Sequence, residues 1–110
     1  RDWLFGVNPW GKCMIVALPE DGDYPRDPHS PIYDKGGHRL DGGVVDGPVY
    51  AGIFNSLWGL HLRDQDKYAR FHNIAVYHDD YSDYSTNEPT MDGTAALTYF
   101  LGCLAAEAEK

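Results

Sequence analysis

The sequence predicts an all-α fold with long shaped loops, incomplete as a domain by itself. Two apolar stripes at helical spacing carry the helical part of that prediction: Val49, Ile53 and Leu57, flanked by Tyr50, Phe54 and Trp58, and later Leu97, Leu101, Leu104 and Ala108. Between them and the start of the chain, Pro19 to Pro48 is dense in Pro, Gly and Asp and has almost no periodicity, which reads as loop. Two amphipathic helices and one loop leave apolar faces uncovered, so the expected unit is the segment 1–110 of a larger domain.

Taken in order, Arg1 to Phe5 reads as the last turn of a helix, because Gly6 follows at a natural stop and Asn8-Pro9 blocks continuation. A loop as long as the Pro19–Pro48 stretch is uncommon unless it serves a site. The first stripe predicts a helix from Val49 to about Leu62, followed by the polar connection Arg63-Asp64-Gln65-Asp66-Lys67. Tyr68 to Tyr77 has no firm assignment. Pro89 suits the first position of a helix, and the second stripe extends that helix to Ala108. Gly93 and Gly102 each cost about 1 kcal/mol relative to Ala, so this last helix needs tertiary neighbours.

With 9 Lys and Arg against 17 Asp and Glu, the net charge of −8 argues against nucleic acid as the main partner. The longest nearly apolar stretch, Ala95 to Ala106, is too short for a membrane span, which takes about 20 residues. The first residues lack the apolar core of a signal peptide, and a chain opening on Arg1 is expected to be a fragment or a processed product. Cys13 and Cys103 fit no metal-ligand spacing, and the expectation is two small buried thiols rather than a disulfide.

Chemistry concentrates in Tyr77-His78-Asp79-Asp80-Tyr81-Ser82-Asp83-Tyr84-Ser85-Thr86-Asn87-Glu88. Carboxylates among tyrosines suit a carbohydrate site, the rings offering flat apolar faces and the carboxylates accepting from hydroxyls or moving protons. Composition alone favours the alternative, a solvated acidic loop. Glu88 stands at the expected start of the last helix, where it is either a stabilising cap or a general acid. His29, held between Pro28 and Pro31, is either a ligand-facing imidazole or a structural histidine. Asp21-Gly22-Asp23 and His78-Asp79-Asp80 each lack a full calcium-loop pattern, and no nucleophile elbow, phosphate loop or dinucleotide fingerprint is present.

The string Tyr77-x-Asp79, then Tyr84, Glu88 and Thr90, continuing to Ala95, resembles the C-terminal active-site signature of glycoside hydrolase family 9, whose members are mostly cellulases. Upstream, Asp2 to Pro9 resembles the family's "LLGxNP" helix end, Asp27-Pro28-His29 its "NPHHR" loop, and Gly43 to Pro48 its "LVGGP" segment, all in the family's order. The resemblance implies an (α/α)6 barrel, of which this chain would be the C-terminal part. It also implies inverting hydrolysis of a β-1,4-glucan, with two carboxyl groups about 6.5 to 9.5 Å apart. Glu88 matches the general acid, and Asp79 joins it as a catalytic candidate in the acidic approach. His29, Tyr84, Asp83 and Asn87 are the expected substrate-binding residues. The aspartates that activate water in the family are expected in an N-terminal part, because they have no counterpart here. No cofactor or catalytic metal is implied, a structural Ca²⁺ is left open, and the compartment implied is secreted or periplasmic.

The sequence departs from the family where Ser30 and Pro31 replace the second His and the Arg of the loop, and where Thr94 stands for Asn. These changes and the absent aspartates sustain one alternative, a non-catalytic carbohydrate-binding module derived from the same fold. A third class, an acidic protein-protein module, leaves the tyrosine-carboxylate pattern unexplained.

Overall fold

In the computed structural model, which describes residues 1–110, the elements run α1 (Pro31–Asp34), β1 (Val44–Val45), β2 (Val49–Tyr50), α2 (Ala51–Phe54), β3 (Arg70–Phe71), β4 (Ala75–Val76), β5 (Pro89–Thr90) and α3 (Met91–Ala108). Helix accounts for 24% of the chain and strand for 12%, in two small antiparallel sheets. This corrects the all-α expectation, and with it the reading of these residues as a segment of an (α/α)6 barrel.

The first error lies in the stripe from Val49. Val49 and Tyr50 pair with Val76 and Ala75, so the helix starts only at Ala51 and ends at Phe54. Asn55, Ser56 and Gly59 dilute helical propensity beyond it, and Gly59 takes a positive φ of 74° that a helix cannot hold. The apolar residues are still used, in another geometry: Ala51, Phe54 and Val76 form a small core against which Leu57 and Leu60 pack.

The unassigned stretch after Lys67 is a hairpin. Strands β3 and β4 pair as Arg70↔Val76 and Phe71↔Ala75, and β4 is the centre of the sheet β2-β4-β3. Ile74 N–H closes the turn on the Phe71 carbonyl at 2.9 Å. His72 and Asn73 both sit in the left-handed region there, which Asn tolerates better than most side chains.

Strand β5 pairs with β1, Val44↔Thr90 and Val45↔Pro89, and this pairing delays the long helix by two residues. The missing N–H of Pro89 is tolerated because the ribbon has only two strands and Pro89 lies at an edge. Helix α3 then runs for 18 residues with Leu97 buried and Leu101 packed against the same core, so the first half of the second stripe faces inward, while Leu104 is half-buried and Ala108 exposed. Gly93 now has a tertiary reason, since a Cβ there would meet Thr90 Oγ1 at 2.7 Å.

The N-terminal stretch runs antiparallel beside β1, with Ile15 bridging Val44 and the Val45 N–H donating to the Met14 carbonyl at 3.0 Å. Cys13 and Ile15 pack on Val44 and Leu97, while Met14 and Val16 pack on Val45 and Tyr77, so alternate residues feed two cores on opposite sides of the backbone. Arg1 to Phe5 makes one turn, with Phe5 N–H on the Arg1 carbonyl at 3.3 Å, and Gly6 ends it at φ 107°. Cys13 is buried as expected, and burial pushes its thiol up; Cys103 is exposed, contrary to expectation, and both are free thiols. Several large apolar side chains stay exposed, among them Met91 at 89% and Trp58 at 87%.

Thr94, the departure from the family signature, fastens α3 to β1. Its hydroxyl accepts from Val44 N–H at 3.0 Å and donates to the Thr90 carbonyl at 2.6 Å. Thr94→Val keeps the shape and orphans the Val44 N–H, so a loss of about 1–3 kcal/mol is expected in chemical denaturation. A change within about 0.5 kcal/mol would show that water replaces the hydroxyl without cost.

Candidate active site

The acidic segment is not a solvated loop. Tyr77, Asp80, Asp83, Thr86 and Asn87 are all nearly inaccessible, and their polar atoms are satisfied within the chain. Asp83 accepts from the backbone N–H groups of Ser85 and Thr86, from the Thr86 hydroxyl at 2.8 Å, and pairs with His78 Nδ1 at 3.1 Å. Asp80 accepts from the N–H groups of Arg63, Asp64 and Ser82 at 2.6 to 2.9 Å. Burial works against the ionised Asp80, but these donors outweigh it and hold its carboxyl below the usual value. Each aspartate thus ties a different strip of loop into one frame.

Asp79 is the hub of that frame. Its two oxygens take the N–H groups of Arg26 and Asp27, the Lys12 ammonium at 3.0 Å and the Asn87 amide at 3.2 Å. Burial of Lys12 opposes its charge, yet Asp79 and Asp23 outweigh it and raise its pKa above the ordinary lysine value. Asn87 closes the circle: its amide donates to the Asp27 carbonyl at 2.9 Å, and its oxygen accepts from the Tyr77 hydroxyl at 2.8 Å. Burial, followed by the charges of Asp79 and Asp83, pushes the Tyr77 phenol up, so it stays a donor. The loop Pro25–His29 is clamped in this way onto the segment that ends at Glu88.

His29 is held twice. Its N–H donates to the Asn87 carbonyl at 2.8 Å, and its Nδ1 meets the Tyr81 carbonyl, which can only accept, so Nδ1 carries the proton. Nε2 is left without a partner in the chain. The ring lies 5.3 Å from that of Tyr81 and 6.2 Å, edge-on, from that of Tyr84. Tyr84 in turn donates to the Trp58 carbonyl at 2.8 Å, and the Arg63 guanidinium covers Tyr81 at 4.2 Å while pairing with Asp34. His29, Tyr81 and Tyr84 make an aromatic flank beside the clamp.

Glu88 differs from every other acid of the segment: it is exposed, and its carboxyl accepts no hydrogen bond from the chain. It also precedes the helix N-cap, Thr90, by two residues, so the capping alternative loses its geometry. Directly across the β1–β5 ribbon stands Asp46, whose N–H donates to the Glu88 carbonyl at 3.1 Å. Asp46 is exposed as a residue, but partial desolvation of its carboxyl, then the charges of Glu88, Asp92 and Asp83, raises its pKa.

Of the six residues selected from the sequence, the structure gathers Asp79, His29, Tyr84, Asp83, Asn87 and Glu88 into one neighbourhood, in different capacities. Asp83 and Asn87 lie inside the frame, His29 and Tyr84 on its flank, and Glu88 outside it. Asp46, Tyr81, Arg63 and Lys12 were not singled out for a role. Asp46 gave a signal in the Asp-Gly-Pro run that ends the third upstream match and Tyr81 stands within the acidic string itself; Arg63 and Lys12 are long-range partners that spacing does not reveal. A cleft of about 400 Å³ lined by Val16, Tyr24, Tyr33, Arg39 and Asp41 is separate from Glu88, which faces open solvent. No group of three or more His, Cys, Asp or Glu side chains is placed to hold a metal ion, and no helix is long and apolar enough to cross a membrane.

Neither curated proteins nor solved structures gave a match to the chain. The family description Glycosyl hydrolase family 9, in contrast, matches residues 1–101, a span that takes in the clamp, the aromatic flank, β1 and β5. A match over nearly the whole chain means that the chain belongs to glycosyl hydrolase family 9, a family of glycoside hydrolases.

Proposed function

We propose that this chain carries the acid half of an inverting β-1,4-glucan hydrolase, with Glu88 protonating the leaving glycosidic oxygen. The observation that supports it is the division of labour among the four carboxylates of the Tyr77–Glu88 segment: Asp79, Asp80 and Asp83 are saturated by donors, while Glu88 keeps both oxygens open to a ligand. A general acid has to reach the oxygen it protonates, and a carboxylate already holding several N–H groups cannot.

In this reading Asp79 acts by positioning. It draws Arg26, Asp27 and Asn87 together, and so sets the distance between the His29 loop and Glu88. The unpartnered His29 Nε2 and the rings of Tyr81 and Tyr84 receive the sugar next to the cleaved bond, an apolar pyranose face meeting an aromatic one. Asp83 and Asn87 serve the substrate through the frame rather than by contact. The water-activating aspartates belong to sequence N-terminal to this chain, and the whole enzyme is exported to meet its polymeric substrate. No cofactor enters the reaction.

The test is the anomeric form of the first product. Proton NMR during early turnover of a cello-oligosaccharide by the complete enzyme is expected to show the α-anomer, the product of one displacement at a β-linkage. The β-anomer would overturn inversion. Saturable binding of the oligosaccharide without any turnover would replace the hydrolase by a carbohydrate-binding module.

A further inference from the structure

We propose that Asp46 is a positioning residue for the general acid: directly across the β1–β5 ribbon from Glu88 and on the same face, it opposes simultaneous ionisation of the two carboxyls and so keeps a proton on the pair.

The geometry follows from register. Val44↔Thr90 and Val45↔Pro89 are the paired residues, and the Asp46 N–H to Glu88 carbonyl bond at 3.1 Å extends the ladder by one step. Residues directly opposite in an antiparallel ladder project to one face, with Cβ atoms about 4.5 to 5.5 Å apart, and like charges there repel. The bond that sets the register is made by backbone, so it survives any side chain at position 46.

The surroundings sharpen the effect. Partial desolvation first, and then the charges of Glu88, of Asp92 from the first turn of α3 and of Asp83 from the loop before β5, push the Asp46 carboxyl up. The cations of this region are engaged elsewhere, Lys12 by Asp79 and Asp23 and Arg63 by Asp34 and Asp27. Two interacting carboxyls lose their protons in two steps that belong to the pair, and the second is displaced to higher pH. A glycosidase needs that second proton for the leaving group.

This inference rests on Glu88 being the acid, and the experiment separates the two claims. The pH profile of kcat/KM on a soluble glucan is measured for the complete enzyme and for its Asp46→Asn, Asp46→Glu and Glu88→Gln variants. The basic limb of Asp46→Asn is expected to move to lower pH by about 0.5 to 1 unit, and Asp46→Glu to restore it. A profile of Asp46→Asn that changes in height with its basic limb unmoved overturns the role of Asp46 while leaving Glu88 as the acid. Near wild-type activity in Glu88→Gln overturns both.

Discussion

The complete enzyme carrying Glu88→Gln is expected to hydrolyse an unactivated β-glucan about 10²- to 10⁴-fold more slowly than the wild type. Gln has nearly the same shape and no proton to give. The cost should shrink for an aryl glycoside whose leaving group departs as a stable anion, because such a group needs little protonation. Folding should be almost untouched, within about 0.5 kcal/mol, since Glu88 is exposed and its carboxyl holds nothing in the chain. Steady-state rates on both substrates, together with a denaturation curve, check the three parts. Equal losses on both substrates would point to a binding role for Glu88 instead of proton transfer.

Asp79→Ala is expected to show the opposite signature, a loss of about 3 to 5 kcal/mol in stability. The carboxylate is the only acceptor shared by Arg26, Asp27, Lys12 and Asn87, and its side chain is 15% exposed. Removing it leaves two backbone N–H groups without their partner, leaves the Asn87 amide with the Asp27 carbonyl alone, and leaves Lys12 to Asp23 alone. Activity falls as well, because the His29 loop is no longer held against Glu88. Denaturant unfolding of the complete enzyme measures the stability change. If Asp79→Ala folds with near wild-type stability and still loses activity as Glu88→Gln does, Asp79 reacts with substrate and the frame does not depend on it.

The contrast between these two acids explains why a motif is easier to find than to interpret. Asp79 and Glu88 stand nine residues apart in one signature, and sequence presents both as ionisable groups near a tyrosine. Their different work comes from partners 52 to 67 residues away, such as Arg26, Asp27 and Lys12, that no local pattern connects to them. The same distance hid Asp46, whose importance depends on a two-stranded ribbon joining residues 44–45 to 89–90.

What the sequence by itself determined is the family and the inward turn of α3 at Leu97 and Leu101. These are written in residue types at short spacing: the Tyr77 to Ala95 string, the Gly6 stop, and leucines recurring every third or fourth residue. Only the tertiary structure decided the rest. Val49-Tyr50 and Pro89-Thr90 carry helical signals yet pair as strands, because Val76 and Val44 offer each of them a ladder partner from far along the chain. The acidic run, polar enough to be a solvated loop, is buried because its carboxylates gain more from backbone donors, themselves in need of acceptors, than from water. Long-range pairing and shared hydrogen bonds depend on which segments meet, and periodicity along one segment carries no record of that meeting.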